Sequence, residues 1–354
     1  MATVPCHCRF FFPPISSSSS SPSGDIEVIT RRWSPVHPLA FSPVASAYTS
    51  SPNEWKREKE NKTHNGKLIS SVSNPLVKHC VKLRLCSSYR RSNGSVLIVG
   101  LTPILEICTF HRDETEPSSI IDQLIVLDGI SIPDELNRIC STVIYVSANV
   151  LKKISGMQSI DSTEVIAIMR MPRSFCDLEM NGSEAMFHSL LPSPYRLLVL
   201  DGIQDPGNLG TLIRSARAFK WDGVFLLPGC CDPFNEKALR AARGASFQVP
   251  IVSGNWSQLN MFASKQRMKI LAGHPANNVN RPNRTSFLTG EVVNRLASEA
   301  LCLVLGSEGN GLSFEALERA ELISIPMEGL FESLNVSVAG GIFLFMLQPQ
   351  NQRD

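Results

Sequence analysis

The stretch Ile323–Leu347, ISIPMEGLFESLNVSVAGGIFLFML, governs how the rest of the chain is read. Leu322 to Ile325 is a short apolar run that suits a buried strand. A loop from Pro326 to Ser333 follows, and Leu334 to Leu347 predicts a helix. Val336, Val338, Ala339, Ile342, Phe343, Leu344, Phe345, Met346 and Leu347 leave that helix almost no polar face, so it is expected to be buried. It is too short to cross a bilayer, which takes about 20 apolar residues. Gly340-Gly341 in its middle disfavours helix by roughly 1 kcal/mol per glycine, and close approach of another backbone is the expected compensation. Ser333-Leu334-Asn335 sets small polar groups at the helix N-terminus, where unpaired N–H groups and a partial positive charge can hold a polar ligand. Taken alone, the stretch reads better as a plain C-terminal core helix.

Upstream of it, apolar runs alternate with helical patterns. Strands are expected at Leu197–Leu200, Val224–Leu227, Phe247–Val252, Ile270–Ala272, Leu301–Leu305 and Leu322–Ile325. Continuous apolar runs suit a parallel sheet covered on both faces, and its ligands belong at the C-terminal strand ends. Three polar, glycine-bearing loops sit there. The first is Asp201 to Gly210, followed by a helix from Leu209 to Phe219 whose buried face is Leu209, Leu212, Ile213 and Ala216. Arg214 points off that face and could grip a phosphate, although an exposed helix arginine is the ordinary case. The second is Gly306-Ser-Glu-Gly-Asn-Gly311, where the glycines let backbone approach a ligand and Glu308 is either an acid/base group or a structural cap. The third is the loop into the last helix. None has Walker or GxGxxG spacing, which counts against a nucleotide-dependent enzyme of ordinary doubly wound fold.

Farther upstream, Ser95–Val99, Gln123–Leu127, Thr142–Val146 and Val165–Met169 read as strands separated by helices, giving a smaller α/β domain over residues 67–172. It opens with Asn74-Pro75, an N-cap and first helical residue. From Lys67 to Arg91 the chain carries Lys67, Lys78, Lys82, Arg84, Arg90 and Arg91 and no acid, which is either a phosphate-contacting surface or a solvated helix face. Residues 173–194 are proline-bearing and polar and read as a linker. Residues 1–66 hold six consecutive serines and no acid before Asp25. This composition is that of an organellar transit peptide followed by a charged linker, and the serine bias favours chloroplast over mitochondrion.

Composition bounds the rest. The 354 residues carry 34 Lys and Arg against 32 Asp and Glu, so no global charge points to nucleic acid. Ten scattered cysteines form no CxxC pair, which disfavours both a zinc site and a disulfide framework.

The three loops, in order and spacing, resemble the three motifs of the SpoU (TrmH) branch of the SPOUT RNA methyltransferases, in an organellar, plant-type form. The matching residues are Asp205-Pro-Gly-Asn-Leu-Gly-Thr-Leu-Ile-Arg-Ser-Ala216, then Leu303-Val-Leu-Gly-Ser-Glu-Gly-Asn-Gly-Leu312, then Ile325-Pro-Met327 with Ser333-Leu-Asn-Val-Ser-Val-Ala339. They lie in residues 195–349. Ser73-Asn-Pro-Leu-Val-Lys78 is similar, more loosely, to the opening of the family's ribosomal-protein-like RNA-binding module. Lys220-Trp221 stands where the family usually has a glycine after the first helix. The resemblance implies a trefoil-knotted parallel sheet with the last helix tucked through a loop, and a homodimer. It implies S-adenosylmethionine as cofactor, RNA (rRNA or tRNA) as substrate, and methyl transfer to a ribose 2′-OH, with neither a metal nor a membrane involved. It assigns Asn208, Arg214, Glu308, Ser333 and Asn335 to catalysis. Gly306, Ile325, Met327 and Leu334 would hold the cofactor. A non-catalytic RNA-binding or ribosome-assembly protein of the same fold is the alternative.

Overall fold

The computed structural model describes residues 68–349, apart from 112–119, 133, 141, 160–164, 181, 276–284 and 330. The transit-peptide and linker reading of residues 1–66 lies outside them. In chain order the elements are α1 (Pro75–Leu85), α2 (Ser87–Asn93), β1 (Ser95–Val99), α3 (Leu101–His111), β2 (Ile121–Leu127), α4 (Asp134–Ile139), β3 (Val143–Val146), α5 (Ala148–Ser155) and β4 (Val165–Arg170). Then come β5 (Phe175–Asp177), α6 (Glu184–Leu190), β6 (Arg196–Asp201), α7 (Pro206–Ala218), β7 (Gly223–Leu226), α8 (Glu236–Ala242), β8 (Ile251–Ser253), α9 (Trp256–Lys265) and β9 (Lys269–Gly273). The chain ends with β10 (Thr285–Phe287), α10 (Gly290–Leu296), β11 (Leu301–Gly306), α11 (Phe314–Arg319), β12 (Glu321–Ser324) and α12 (Val336–Met346).

The strands form two sheets. The smaller has order β1-β4-β2-β3, with β4 antiparallel to β1 and β2, and β2 parallel to β3. The larger has order β10-β12-β9-β11-β6-β7-β8-β5, and its ladders are parallel. Its central strands β6 and β11 are buried on both faces, as their unbroken apolar runs require. From β6 the chain winds one way through β7 and β8, then returns to the other side for β9, β11 and β12. The C-terminal edge beside β6 and β11 is therefore a switch point, where a ligand crevice belongs.

Several expectations need correction. Residues 173–194 are not a bare linker: β5 pairs with β8 at the edge of the larger sheet, and α6 is capped by the Ser183 side chain. The apolar run Phe247–Val252 is not one strand. Phe247 closes a 3-10 turn from Ala245, Val249 N bonds back to Ala245 O, and β8 starts only after Pro250, which has no N–H to give a ladder. The helix expected from Leu209 starts earlier, because Asp205 caps it with Pro206 in its first turn. Nor is α12 buried all round. Val336, Phe343 and Leu344 are buried, but Val338 and Phe345 are 52% and 54% exposed.

The last helix is held at its C-terminal end by a buried arginine. Arg196 Nε donates to Leu347 O at 2.6 Å, and its Nη atoms donate to Glu299 O at 2.5 Å and Leu296 O at 3.3 Å. Carbonyls at helix ends are suitable partners for a buried cation. Trp221 Nε1 adds a bond to Leu344 O at 3.1 Å, pinning α12 to the end of α7.

Candidate active site

Three loops leave the C-terminal edge of the larger sheet and meet at one carboxylate. Asn208 Nδ2 donates to Glu308 Oε1 at 2.6 Å, and Asn335 Nδ2 donates to the same oxygen at 2.5 Å. Local sequence aims each partner. Asn208 lies in the first turn of α7, where its N–H donates to the capping Asp205 Oδ1 at 2.8 Å. Asn335 is the N-cap of α12; its Oδ1 accepts from Ser337 N at 2.9 Å, which leaves Nδ2 for Glu308. Glu308 thus sits between two helix N-termini, whose partial positive charge suits a carboxylate.

Glu308 is at the tip of a tight turn. Ser307 and Gly311 exchange backbone bonds of 2.9 Å, and Gly311 takes φ +67°. A Cβ on Gly306 would lie 2.4 Å from Gly311 O, so the closed turn needs glycine there. Buried Asp201, at the end of β6, accepts Ser313 N at 2.8 Å and anchors the far side of the loop.

Beside this network opens a cavity of about 800 Å³. Gly306, Glu308, Ile325, Met327, Ser333 and Leu334 line it, together with Leu305, Ser307, Val336 and Phe343. All four residues expected to hold a cofactor are therefore brought together, with two of those assigned to catalysis. Asn208 and Asn335 reach the site through Glu308. Arg214 does not join it: the side chain is exposed on α7, outside the cavity lining, and has no hydrogen bond or ion pair among the described residues. Sequence reading missed Gly273 and His274, which line the cavity from the end of β9. The strand-end rule would have found them, but no motif marks the position. His274 Nδ1 bonds Pro275 O at 2.7 Å.

The lining is mixed, with apolar walls and a few convergent polar groups, in the size range of sites for nucleoside-sized ligands. Thiol chemistry is disfavoured next to the first loop. Burial pushes Cys230 up to about 11 and Cys231 up to about 12, so both stay protonated at neutral pH.

The chain matches the SpoU rRNA Methylase family over residues 195–345. It is 27% identical to the 23S rRNA (guanosine(2553)-2'-O)-methyltransferase RlmP of Bacillus subtilis, covering 80% of this chain and 99% of that one. It is 31% identical to the 23S rRNA (guanosine-2'-O-)-methyltransferase RlmB of Haemophilus ducreyi, covering 61% of this chain and 82% of the relative. A solved structure described as an RNA 2'-O ribose methyltransferase superposes with a TM-score of 0.59 at 25% identity, over 79% of this chain and 98% of that one.

Proposed function

The chain belongs to the SpoU rRNA methylase family, and from that premise we propose that it transfers a methyl group from S-adenosylmethionine to a ribose 2′-OH of rRNA or tRNA. The observation that carries this reading is the single carboxylate, Glu308, joining Asn208 and Asn335 at the rim of the cavity. Two helix N-termini and one turn, from distant parts of the chain, are thereby held in one constellation.

S-adenosylmethionine supplies a methyl already activated as a sulfonium. What remains for the protein is to align the hydroxyl oxygen and assist loss of its proton. Gly306, Ile325, Met327 and Leu334 hold the cofactor through backbone groups and apolar contact. Ser333 and the Asn208–Glu308–Asn335 network fix the ribose. Alignment of this kind supplies several kcal/mol of the barrier. Arg214 acts on the RNA rather than on the cofactor. Its guanidinium orients the target phosphate and stabilises developing negative charge. Its exposed position on α7 leaves it available to an incoming strand.

The wider reading follows the family. The last helix is threaded through a loop as a knot, and residues 67–172 form an RNA-recognition domain beside the catalytic one at 195–349. Two copies pair through the apolar surface of α12, where Val338 and Phe345 are exposed. The serine-rich, acid-poor first residues direct the protein to the chloroplast.

Arg214→Ala tests the central claim. Transfer of a tritiated methyl to organellar RNA is expected to be abolished, while S-adenosylmethionine affinity by calorimetry stays within about twofold. Transfer that survives removes Arg214 from the mechanism.

A further inference from the structure

Phe331 is the most exposed large apolar side chain among the described residues, at 79%. It belongs to none of the hydrophobic clusters that form the core. A Cβ on Gly329 would lie 3.8 Å from Phe331 Cδ2, so the ring lies beside a residue with no side chain to cover it. Apolar side chains exposed singly, such as Leu85 or Met261, are ordinary and call for no explanation. Phe331 differs by its place. Met327, Glu332 and Ser333 of the same loop line the cavity, and Phe331 stands just outside that lining.

The loop is a poor seat for phosphate. From Ala320 to Gln352 the chain carries no Lys or Arg, and Glu328 and Glu332 stand on either side of Phe331. Two carboxylates repel an RNA backbone. A nucleobase is uncharged and its flat face suits an aromatic ring. The cation lies elsewhere, at exposed Arg214 on α7. Asn208 of α7 and Asn335, where the third loop ends, reach one oxygen of Glu308 from these two elements. A ribose resting on that network therefore has a cationic neighbour on one element and an aromatic neighbour on the other.

The chemistry of the substrate connects the two. The 2′-OH and the base sit on adjacent carbons of the ribose, so a hydroxyl held at the cavity mouth brings its own base with it. Within a duplex the faces of that base are covered by its neighbours, which leaves none for a protein ring.

We propose that the base of the target nucleotide stacks on Phe331, and that the target is an unpaired nucleotide turned out of its stack. The inference rests on the RNA-methyltransferase reading and deepens it: the third loop takes the base, α7 takes the phosphate, and single-stranded RNA is the form that fits. A phenyl ring accepts any base face, so Phe331 sets affinity for the extruded nucleotide and leaves base identity to other contacts.

Two measurements on the full chain test this. In the first, methyl transfer to RNA from cells lacking the protein is compared for Phe331→Ala, Phe331→Leu and Phe331→Trp, with Met261→Ala on α9 as control. Phe331→Ala and Phe331→Leu are expected to lower kcat/KM for RNA about tenfold, while Phe331→Trp and the control stay near wild type. S-adenosylmethionine affinity by calorimetry and the sedimentation coefficient are unchanged throughout. A Phe331→Leu protein as active as wild type overturns the stacking role. So does a Phe331→Ala protein whose oligomeric state shifts, which gives the ring to a second copy of the chain. In the second measurement, the fluorescence that Phe331→Trp adds over wild type is titrated with a mixed-sequence single-stranded oligoribonucleotide, and with the same strand annealed to its complement. Quenching by the single strand alone is expected; equal quenching by both, or none, overturns the proposal. Wild-type protein that transfers no methyl overturns the proposed activity instead, and leaves the quenching readable.

Discussion

Lys220 follows α7 at the position where the chain must turn left-handed. Its φ is +56°, Trp221 N bonds Ala216 O at 2.9 Å, and Lys220 N bonds Arg217 O at 3.2 Å, the paired bonds of a helix stop that normally takes glycine. A lysine there is strained by roughly 1 kcal/mol. Lys220→Gly is expected to raise stability by about that amount, read as a higher urea midpoint with unchanged slope. Glu308 presents the opposite case, with little stability and much function at stake. It is exposed, so Glu308→Ala is expected to change stability by less than about 1 kcal/mol. It frees the Asn208 and Asn335 amides together, and the methyl-transfer rate is expected to fall by about 100-fold. A variant that keeps near-normal turnover would show that the two amides need no common anchor.

The two adjacent glycines of α12 have unlike surroundings. A Cβ on Gly340 would meet Leu212 Cδ2 at 2.2 Å and Leu305 Cδ1 at 2.9 Å, and both leucines are buried. A Cβ on Gly341 meets nothing within 4 Å. The close approach expected from sequence is thus real at Gly340 only, and it is made by side chains of α7 and β11, not by another backbone. Gly340→Ala is expected to destabilise by about 1–3 kcal/mol through overpacking. Gly341→Ala is expected to stabilise by up to about 1 kcal/mol through helix propensity. Thermal melts of the two variants should move in opposite directions; a common direction would contradict the packing of α12 on α7.

At the scale of the molecule, the two sheets share a core. Phe234, Leu239 and Phe247 come from the chain around α8, yet they pack with Val96 and Met169 of the smaller sheet and with Ile104 of α3. Beside them Arg90, 2% exposed, holds Asp232. Its Nε lies 3.1 Å from Asp232 Oδ2, and Nη1 donates to Leu83 O at 2.6 Å. Asp232→Ala would strand a buried cation and is expected to cost about 3–5 kcal/mol. With a shared core, both sheets are expected to unfold in one calorimetric transition that this variant shifts downward as a unit. Two separated transitions in the wild type would mean that the halves are energetically independent. The basic run that opens the smaller α/β region is accordingly divided in purpose: Arg90 and Arg91 lock the molecule together, and Lys78 and Lys82 face solvent.

Local pattern determined a large part of this protein. Apolar runs placed β6, β9 and β11 within a residue or two, because the middle of a strand in a covered parallel sheet is apolar without alternation. Asn74-Pro75 marked α1, because caps act within one turn. The three loops were legible as a set, because each follows a strand that the pattern itself reveals. Only tertiary structure decided what the loops do to one another. No spacing in sequence says that Asn208 and Asn335 share one oxygen of Glu308, because that bond is set by the parallel order of β6, β11 and β12. Likewise β5 and β10 are three-residue edge strands, too short for periodicity to show. The fate of Arg90 was equally hidden, since its partner lies 142 positions away and was brought beside it by a core built from two sheets.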